Sequence, residues 1–353
     1  MKVALYRDDV TLSYAVTASG QRHDGRSRLF LVLDHEGVTG VGEIAPQPTA
    51  LNGDPGLGEV LAAIETLLVR VVGVVTREGA PPSWSRVAGF AATSPAALFA
   101  AALIEMAVLD WELRTAQSVI GDLWPRHHVA SVQSTVSLLD EESEWTVDEG
   151  VARVRAKSAP GALSVVARER LRTLRVPVVV DFNCSVTRDE EVLEQVAMIE
   201  RVAVVAAVEQ PYARGNLVDH ARLAARLAVP LSLDEGVRGL RDLTNIAHYH
   251  AAAMVCVKPA RVGGLANART MFERARSLGL TAYLGGFFES PFARAVHRSL
   301  VENCVSEPSD VGEVATRDGG DEVRRTRGGF GLEPSPETFE RSRRLLVFEE
   351  SGP

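Results

Sequence analysis

Five short apolar, β-branched runs occupy the middle of the chain, and each ends on an ionisable residue. They read VARVRAK, VPVVVDFN, VAAVEQP, VPLSLDE and MVCVKPA, and the residues at or near their ends are Lys157, Asp181, Glu209, Asp234 and Lys258. Successive gaps are 24, 28, 25 and 24 residues. Loss of strict apolar–polar alternation marks strands covered on both faces, as in a parallel sheet. Between the runs, DEEVLEQVAMIERVA and NLVDHARLAARLA carry apolar residues at helical spacing. A strand–helix repeat of about 25 to 30 residues is the unit of a βα-barrel or a doubly wound sheet. In a barrel, polar residues at the C-terminal ends of successive strands converge on one mouth.

The rhythm extends in both directions. ASVQSTVSLL, from about Val129, supplies a first strand, and LTAYLGGFF (280–288) a seventh whose glycines permit close backbone approach to a ligand. An eighth element falls near CVSEPSDVG and is weakly marked. The first 125 residues follow a different order. VALYRDDVTLSY reads as a strand, and RLFLVLDHEGVTGVGEIAP as a hairpin turning at His35-Glu36-Gly37. Two helices follow: GEVLAAIETLLVRVVG, then Pro95–Thr115 with Ser94 as N-cap and Pro95 at its first position. TREGAPPSWSRV is expected to be a loop, and TASGQRHDGRS (17–27) a long polar loop, either mobile surface or a binding lid. Strands followed by helices indicate an α+β domain. The expected organisation is an α+β domain over 1–125, a barrel over 126–324, and a return segment, 325–353, that packs on the first domain.

Composition narrows the function classes. A chain of 353 residues, 46% hydrophobic and 24% charged, is ordinary for a globular protein. The net charge of −8 argues against a general nucleic-acid or anionic-membrane surface. Cys184, Cys256 and Cys304 match no zinc spacing and form no disulfide framework; Cys184 and Cys256 sit in or beside predicted strands, so buried free thiols are expected there. No apolar span of transmembrane length and no signal-peptide pattern is visible, which leads to the expectation of a cytoplasmic protein. Of 38 basic side chains only three are lysine, Lys2, Lys157 and Lys258. Two of the three stand at strand ends in the ladder. Arginine stays protonated in a protein, whereas lysine titrates when its surroundings demand it.

The ladder suggests a chemistry. Asp181, Glu209 and Asp234 on three consecutive strands would repel one another without a cation between them, and oxygen-only ligation favours Mg²⁺, with Mn²⁺ as the alternative. Taken singly, each acid is as well explained by a helix cap or a surface ion pair; the trio in register is not. Asn183 and Gln210 are candidates for supporting these ligands, and Glu235, next to Asp234, for holding a lysine or a neighbouring strand end. Lys157 and Lys258 would approach a carboxylate substrate from opposite sides. The like charge of Arg155 and of a cation would push a lysine's pKa down, making the amine a base near neutral pH. Proton removal next to a carboxylate yields an enediolate, whose charge a metal stabilises.

On these residues the chain resembles the enolase superfamily, muconate-lactonizing subgroup, over nearly its whole length. A Lys or His base working with Mg²⁺ is the known pattern of that superfamily. GVGEIAP resembles the family's G-W-G-E segment, with Val41 in place of Trp, and AALIEMAVLDWELR is similar to the helix before the barrel. Arg155-Ala156-Lys157 resembles K-x-K, Asp181-Phe182-Asn183 resembles D-x-N, and Glu209-Gln210-Pro211 and Asp234-Glu235 look like the second and third metal ligands. KPARVGG is close to K-P-x-R-x-G-G. The resemblance implies a modified (β/α)7β TIM barrel with an α+β capping domain. A lysine at 258 argues against the mandelate racemase subgroup, which has a histidine base there. GGFFESPFARAVHRSL resembles the G-G-M-x-E-S-G-I-G-R-A-H segment of the o-succinylbenzoate synthase and N-succinylamino acid racemase group. This adds Gly286, Glu289 and Ser290 to the substrate-side candidates, although Ser290-Pro291-Phe292-Ala293 departs from S-G-I-G. Superfamily members are commonly oligomeric, so a homo-oligomer is a further implication.

Three outcomes share the ladder: dehydration to o-succinylbenzoate, in menaquinone biosynthesis, as the first choice; racemisation of N-acylated amino acids; and cycloisomerisation of a muconate. A Schiff-base aldolase would use one lysine as nucleophile and need no carboxylate trio, and borohydride trapping would reveal it. A non-catalytic binding relative would show no Mg²⁺-dependent proton exchange.

Overall fold

The computed structural model describes every residue except 91–93, 141–144, 146, 318–321 and 350–353. The last four positions of the expected return segment, and its approach at 318–321, therefore lie outside the described residues.

The N-terminal third opens with three antiparallel strands, β1 (Lys2–Ala18), β2 (Gln21–His35) and β3 (Val38–Ile44); helix Pro95–Thr115 packs on β2 and β3, and helix Leu57–Glu78 packs against that helix. Glycine explains how closely the second helix sits on β3. A Cβ on Gly42 would lie 2.2 Å from the Leu103 carbonyl oxygen, and one on Gly40 2.2 Å from that of Ala107. The G-V-G-E stretch is thus a helix seat as well as a motif. That helix is buried on most sides, with Phe99, Leu103, Ile104 and Val108 fully covered, because its other flank packs against the short helix Pro259–Val262 of the barrel.

Two expectations for this region change. Residues 17–27 are not a loop. β1 and β2 pair through Val16–His23, Thr17–Arg22 and Ala18–Gln21, around a two-residue turn in which Ser19 and Gly20 both have positive φ (53° and 71°). Such a turn matches the twist of the flanking strands; the polar residues on the ribbon hide the strand periodicity. The first helix also runs on to Glu78 and stops at Gly79 in the left-handed conformation, and Trp84–Val87 form a further helical turn, so the expected loop at 76–87 shrinks to residues 79–83.

Seven parallel strands form the second unit: β4 (Val132–Ser137), β5 (Val151–Lys157), β6 (Val178–Asp181), β7 (Val205–Glu209), β8 (Leu231–Leu233), β9 (Met254–Val257) and β10 (Thr281–Leu284). They lie in sequential order. The register aligns Lys157 with Asp181, and Asp181 with Glu209. The weakly marked eighth element is a two-residue bridge. Ser309 N–H donates to the Ser131 carbonyl (2.9 Å), Gln133 N–H to the Ser309 carbonyl (2.8 Å) and Asp310 N–H to the Leu284 carbonyl (2.8 Å). Both edges of the sheet are joined there, which closes the ring. A capping domain and a TIM-barrel-like domain are therefore both present. Beyond the barrel, β11 (Val323–Arg325) pairs with β12 (Leu332–Pro334), and β13 (Arg343–Glu349) adds to the edge of β1. No helix among the described residues is long and apolar enough to cross a membrane.

Candidate active site

Each ladder residue stands at or just past a strand end, where the chain leaves the sheet, and all five are buried. Asn183, Cys184 and Gln210 take positive φ (44°, 65° and 37°) just after β6 and β7. For residues other than glycine this costs energy and persists only where the surroundings impose it. The Gln210 side chain shows part of that imposition: its Oε1 accepts from Asp234 N–H (2.9 Å) and Gly236 N–H (3.3 Å), and its Nε2 donates to the Tyr212 carbonyl (2.9 Å). One amide thereby fixes where β8 ends and where Asp234 begins.

The two lysines are held differently. Lys157 Nζ donates to Asp181 Oδ2 at 2.5 Å. Lys258 Nζ donates to Asp234 Oδ2 (2.9 Å) and sits 4.6 Å from the centre of the Phe287 ring. Asp234 Oδ1 in turn accepts from Arg261 Nη1 (2.6 Å), and Arg261 grips Asp54 through Nε (2.8 Å) and Nη2 (2.7 Å). Asp54 comes from the capping domain, so this chain of ion pairs crosses between the domains. Burial alone would lower the Lys258 pKa, but the Asp234 carboxylate outweighs it and the pKa is raised. The Asp234 carboxylate thus keeps Lys258 in its charged form. Space for the Lys258 stem depends on Gly285, where a Cβ would lie 2.9 Å from Lys258 Cε and 2.4 Å from Cys256 Sγ.

Arg155 directs its donors elsewhere than towards Lys157. Its Nε donates to Glu209 Oε2 (3.1 Å) and its Nη1 to Asp310 Oδ2 (2.6 Å). Tyr283 adds a second donor to Glu209 Oε2, at 2.5 Å. Asn183 donates from its backbone to Asp181 Oδ1 (2.9 Å) and from its side chain to Glu235 Oε1 (3.2 Å).

Among the described residues, three buried oxygens in this mouth have no hydrogen-bond partner: Glu209 Oε1, Glu235 Oε2 and Asn183 Oδ1. Burial raises the Glu209 pKa to about 8 and the Glu235 pKa to about 7, in each case with other carboxylates of the mouth adding to the shift. Unpartnered, buried acceptors with raised pKa values, in an all-oxygen set beside Asp181 and Asp234, fit a hard divalent cation. Glu209 and Asp234 also lie with Cys256 in a group whose ligand atoms are within 4.8 Å of one another.

A cavity of about 120 Å³ opens above these residues. Barrel residues Arg155, Lys157, Asp234, Lys258 and Gly286 line one side, and His23, Arg26, Gln47 and Asn52 of the capping domain the other. The ribbon 17–27 therefore forms a wall of the cavity. Of the substrate-side candidates, Gly286 lines it and donates its N–H to Asp310 Oδ2 (3.2 Å). Glu289 and Ser290 do not line it. Glu289 accepts from Phe287 N–H (2.9 Å) and pairs with Arg294 (3.2 Å), while Ser290 caps helix Pro291–Cys304 and bonds to Glu43. Asp54, Arg261, Tyr283 and Asp310 belong to the site without standing out in the sequence, because none follows the strand-end rhythm. Arg261 carries the one available signal, as the arginine of the K-P-x-R-x-G-G segment. The cysteines are free; Cys256 is fully buried as expected, whereas Cys184, in the turn after β6, is only partly buried.

Residues 137–332 match the Enolase C-terminal domain-like family. The chain belongs to that family. It is an enzyme of the enolase superfamily. It is 27% identical over 262 residues to an N-succinylamino acid racemase from an Amycolatopsis species, covering 67% of this chain and 69% of the racemase. It is 29% identical over 182 residues to an o-succinylbenzoate synthase from Enterococcus faecalis, covering 51% of this chain and 49% of the synthase. The chain thus aligns with about half the length of that synthase. A crystal structure of an enolase-superfamily member from Listeria innocua superposes with a TM-score of 0.79 at 18% identity, over 98% of this chain and 97% of the other; at that identity the shared feature is the fold.

Proposed function

We propose that this enzyme removes the proton α to a carboxylate to form an enediolate, and that the reaction goes on to dehydration, as in an o-succinylbenzoate synthase. The observation that carries this is the placement of two lysines on β5 and just past β9, flanking three consecutive strand-end acids whose neighbourhood leaves buried oxygens unpartnered. Asp181, Glu209 and Asp234 would hold Mg²⁺, which when bound supplies positive charge to orient the substrate carboxylate and offset the enediolate's charge.

The remaining steps belong to the chain's own groups. Lys157 Nζ takes the α-proton; the C–H electron pair moves into the enediolate. The C–O bond to the substrate hydroxyl then breaks as the ring double bond forms, and the departing hydroxyl takes the proton back from Lys157 Nζ, leaving as water. Lys258, kept cationic by Asp234, faces the enediolate and steadies it. Arg155 and Tyr283 hold Glu209 Oε2, which leaves Oε1 without a hydrogen-bond partner.

A second reading, racemisation of N-succinylamino acids, is favoured by one observation: an amine stands on either side of the acid trio, which two-face proton exchange requires. The test is incubation with Mg²⁺ in D₂O with N-succinyl-phenylglycine and with the cyclohexadiene precursor of o-succinylbenzoate, followed by NMR. Fast dehydration with slow amino-acid exchange supports the synthase; exchange and racemisation alone support the racemase. Reaction unchanged by EDTA and by Lys157→Ala refutes both.

A further inference from the structure

The three strand-end acids are not held alike. Asp181 and Asp234 each pair with a lysine, Lys157 at 2.5 Å and Lys258 at 2.9 Å. Glu209 has no lysine partner among the described residues, and its side chain has one more rotatable bond than an aspartate. A longer acid loses more conformational freedom when it is fixed in one rotamer. Its grip comes from other buried groups. Arg155, two residues before Lys157 on β5, and Tyr283, on β10, both donate to Glu209 Oε2, at 3.1 and 2.5 Å. The Tyr283 hydroxyl lies 2.9 Å from Ser232 Oγ of β8, and all of these side chains are buried.

Arg155 is the informative residue, because the K-x-K pattern would place a lysine there. An ammonium is a point charge on a flexible stem, whereas a guanidinium is a rigid fork. This fork spans two carboxylates: Nε donates to Glu209 and Nη1 to Asp310 Oδ2 (2.6 Å), while Asp181 Oδ2 lies further off, 3.9 Å from Nε. Asp310 belongs to the two-residue bridge that closes the ring, and it is itself fixed. Its Oδ1 accepts from Gln133 Nε2 (3.2 Å), its Oδ2 from Gly286 N–H (3.2 Å), and its backbone N–H donates to the Leu284 carbonyl (2.8 Å). Gln133 Oε1 accepts from Arg153 Nε (2.6 Å), and Arg153 Nη2 donates back to the Pro308 carbonyl (2.7 Å). The guanidinium carbons of Arg153 and Arg155 lie 4.8 and 5.7 Å from the centre of the Tyr283 ring. An unbroken run of buried polar side chains thus joins the ring closure to Glu209.

We propose that Asp310 and Tyr283 are positioning residues for Glu209. Tyr283 fixes Oε2 directly, and Asp310 fixes it through the Arg155 fork, so the arginine at the K-x-K position serves the acid trio rather than Lys157. What the positioned carboxylate holds rests on the reading of Glu209 as a metal ligand. A lysine at 155 could satisfy one of the two carboxylates and would leave the other buried without its charged partner, which is costly. Arg155 and Asp310 therefore work as a pair. Groups that orient a metal ligand from behind change metal affinity by about 10- to 100-fold.

The test is titration calorimetry of the substrate-free protein with Mg²⁺ alone and with Mn²⁺ alone. It compares the wild type, Tyr283→Phe, Asp310→Asn, Arg155→Lys and the double variant Arg155→Lys/Asp310→Asn. Tyr283→Phe and Asp310→Asn are each expected to bind both ions on the order of 10- to 100-fold more weakly. In the Arg155→Lys background, which keeps the charge and loses the fork, Asp310→Asn should cost little more, because its route to Glu209 is already broken. A purely structural residue would lower the melting temperature and leave the affinity of the folded molecules unchanged; that result for Tyr283→Phe or Asp310→Asn overturns the proposal for that residue. An equal loss from Asp310→Asn in both backgrounds also overturns it, since Asp310 would then act by its charge alone. If the wild type binds neither ion, the metal-ligand reading fails on its own. Crystal structures of the metal-free wild type and Asp310→Asn then decide the positioning role: a Glu209 carboxylate that swings away in the variant supports it, and one that stays in place refutes it.

Discussion

Two sets of buried carboxylates in this molecule serve opposite ends. The acids of the mouth crowd together and leave oxygens without partners. The acids at the seam between cap and barrel are satisfied by backbone N–H groups. Glu105, on helix Pro95–Thr115, accepts from Leu265 N–H (2.5 Å) and Ala266 N–H (2.9 Å), at the start of helix Leu265–Ser277. Glu43, on β3, accepts from Ser290 N–H (2.7 Å), the Ser290 hydroxyl and Ala293 N–H (3.3 Å), at the start of helix Pro291–Cys304. A helix N-terminus offers unpaired donors and the positive end of a dipole, so a buried acid there is a rivet. Burial alone therefore does not mark a functional acid; burial with an unfilled lone pair does.

The contrast predicts separable losses. Lys157→Ala should slow α-proton exchange by about 10²- to 10⁴-fold while leaving the melting temperature within a few degrees, since among the described residues Lys157 pairs with a single carboxylate, Asp181. NMR exchange beside a thermal melt checks both halves. Glu105→Ala should do the reverse. It strips two buried N–H groups of their acceptor and opens a cavity, costing roughly 3 kcal/mol of stability, readable in urea melts, with exchange per folded molecule little changed. A Glu105→Ala protein that melts like the wild type would dissolve the distinction.

The two sets also differ in how legible they are in the sequence. The mouth is readable because parallel strands repeat at a fixed interval and deliver their ends to one place; Lys157, Asp181, Glu209, Asp234 and Lys258 follow from that geometry before any contact is known. The seam is not. Glu105 sits inside an Ala-rich helix, and its partners lie some 160 residues further on. Asp54 and Arg261 meet only because the cap folds over the barrel. The ribbon at 17–27 misleads for a related reason: its strand pairing and its turn at Ser19-Gly20 are local, but its polar composition answers to the cavity it walls.

Acidity sharpens the comparison further. Burial raises Glu43 to about 7 and Glu105 to about 8. A carboxyl raised in the folded state holds its proton longer than in the unfolded chain. Its folded form is thus favoured at low pH and loses ground as pH climbs from the unfolded value towards the folded one. With EDTA present, stability should fall by a few kcal/mol between about pH 5 and pH 8. Mg²⁺ should recover only the share that belongs to the mouth, since the seam acids have their lone pairs filled by N–H donors. A pH profile of melts that Mg²⁺ flattens completely would place the whole effect in the mouth.

The charge of one mouth acid gives the most discriminating test. Glu235 is a mouth acid with no ion-pair partner among the described residues; its Oε1 accepts from Asn183 Nδ2 (3.2 Å) and Asn52 Nδ2 (3.3 Å), and its Oε2 from nothing. Glu235→Gln keeps the shape and the acceptor at Oε1 and deletes the charge. The wild-type carboxyl ionises in the folded state only around pH 7, against its tendency in a burial-raised site. The variant should therefore gain up to about 3 kcal/mol at pH 8 without Mg²⁺ and far less at pH 5, where folded wild-type Glu235 is protonated. With Mg²⁺ the gain should shrink, because the cation relieves the same repulsion in the wild type. A variant destabilised equally at both pH values would mean that Glu235 is held as the seam acids are, by hydrogen bonds that an amide cannot replace.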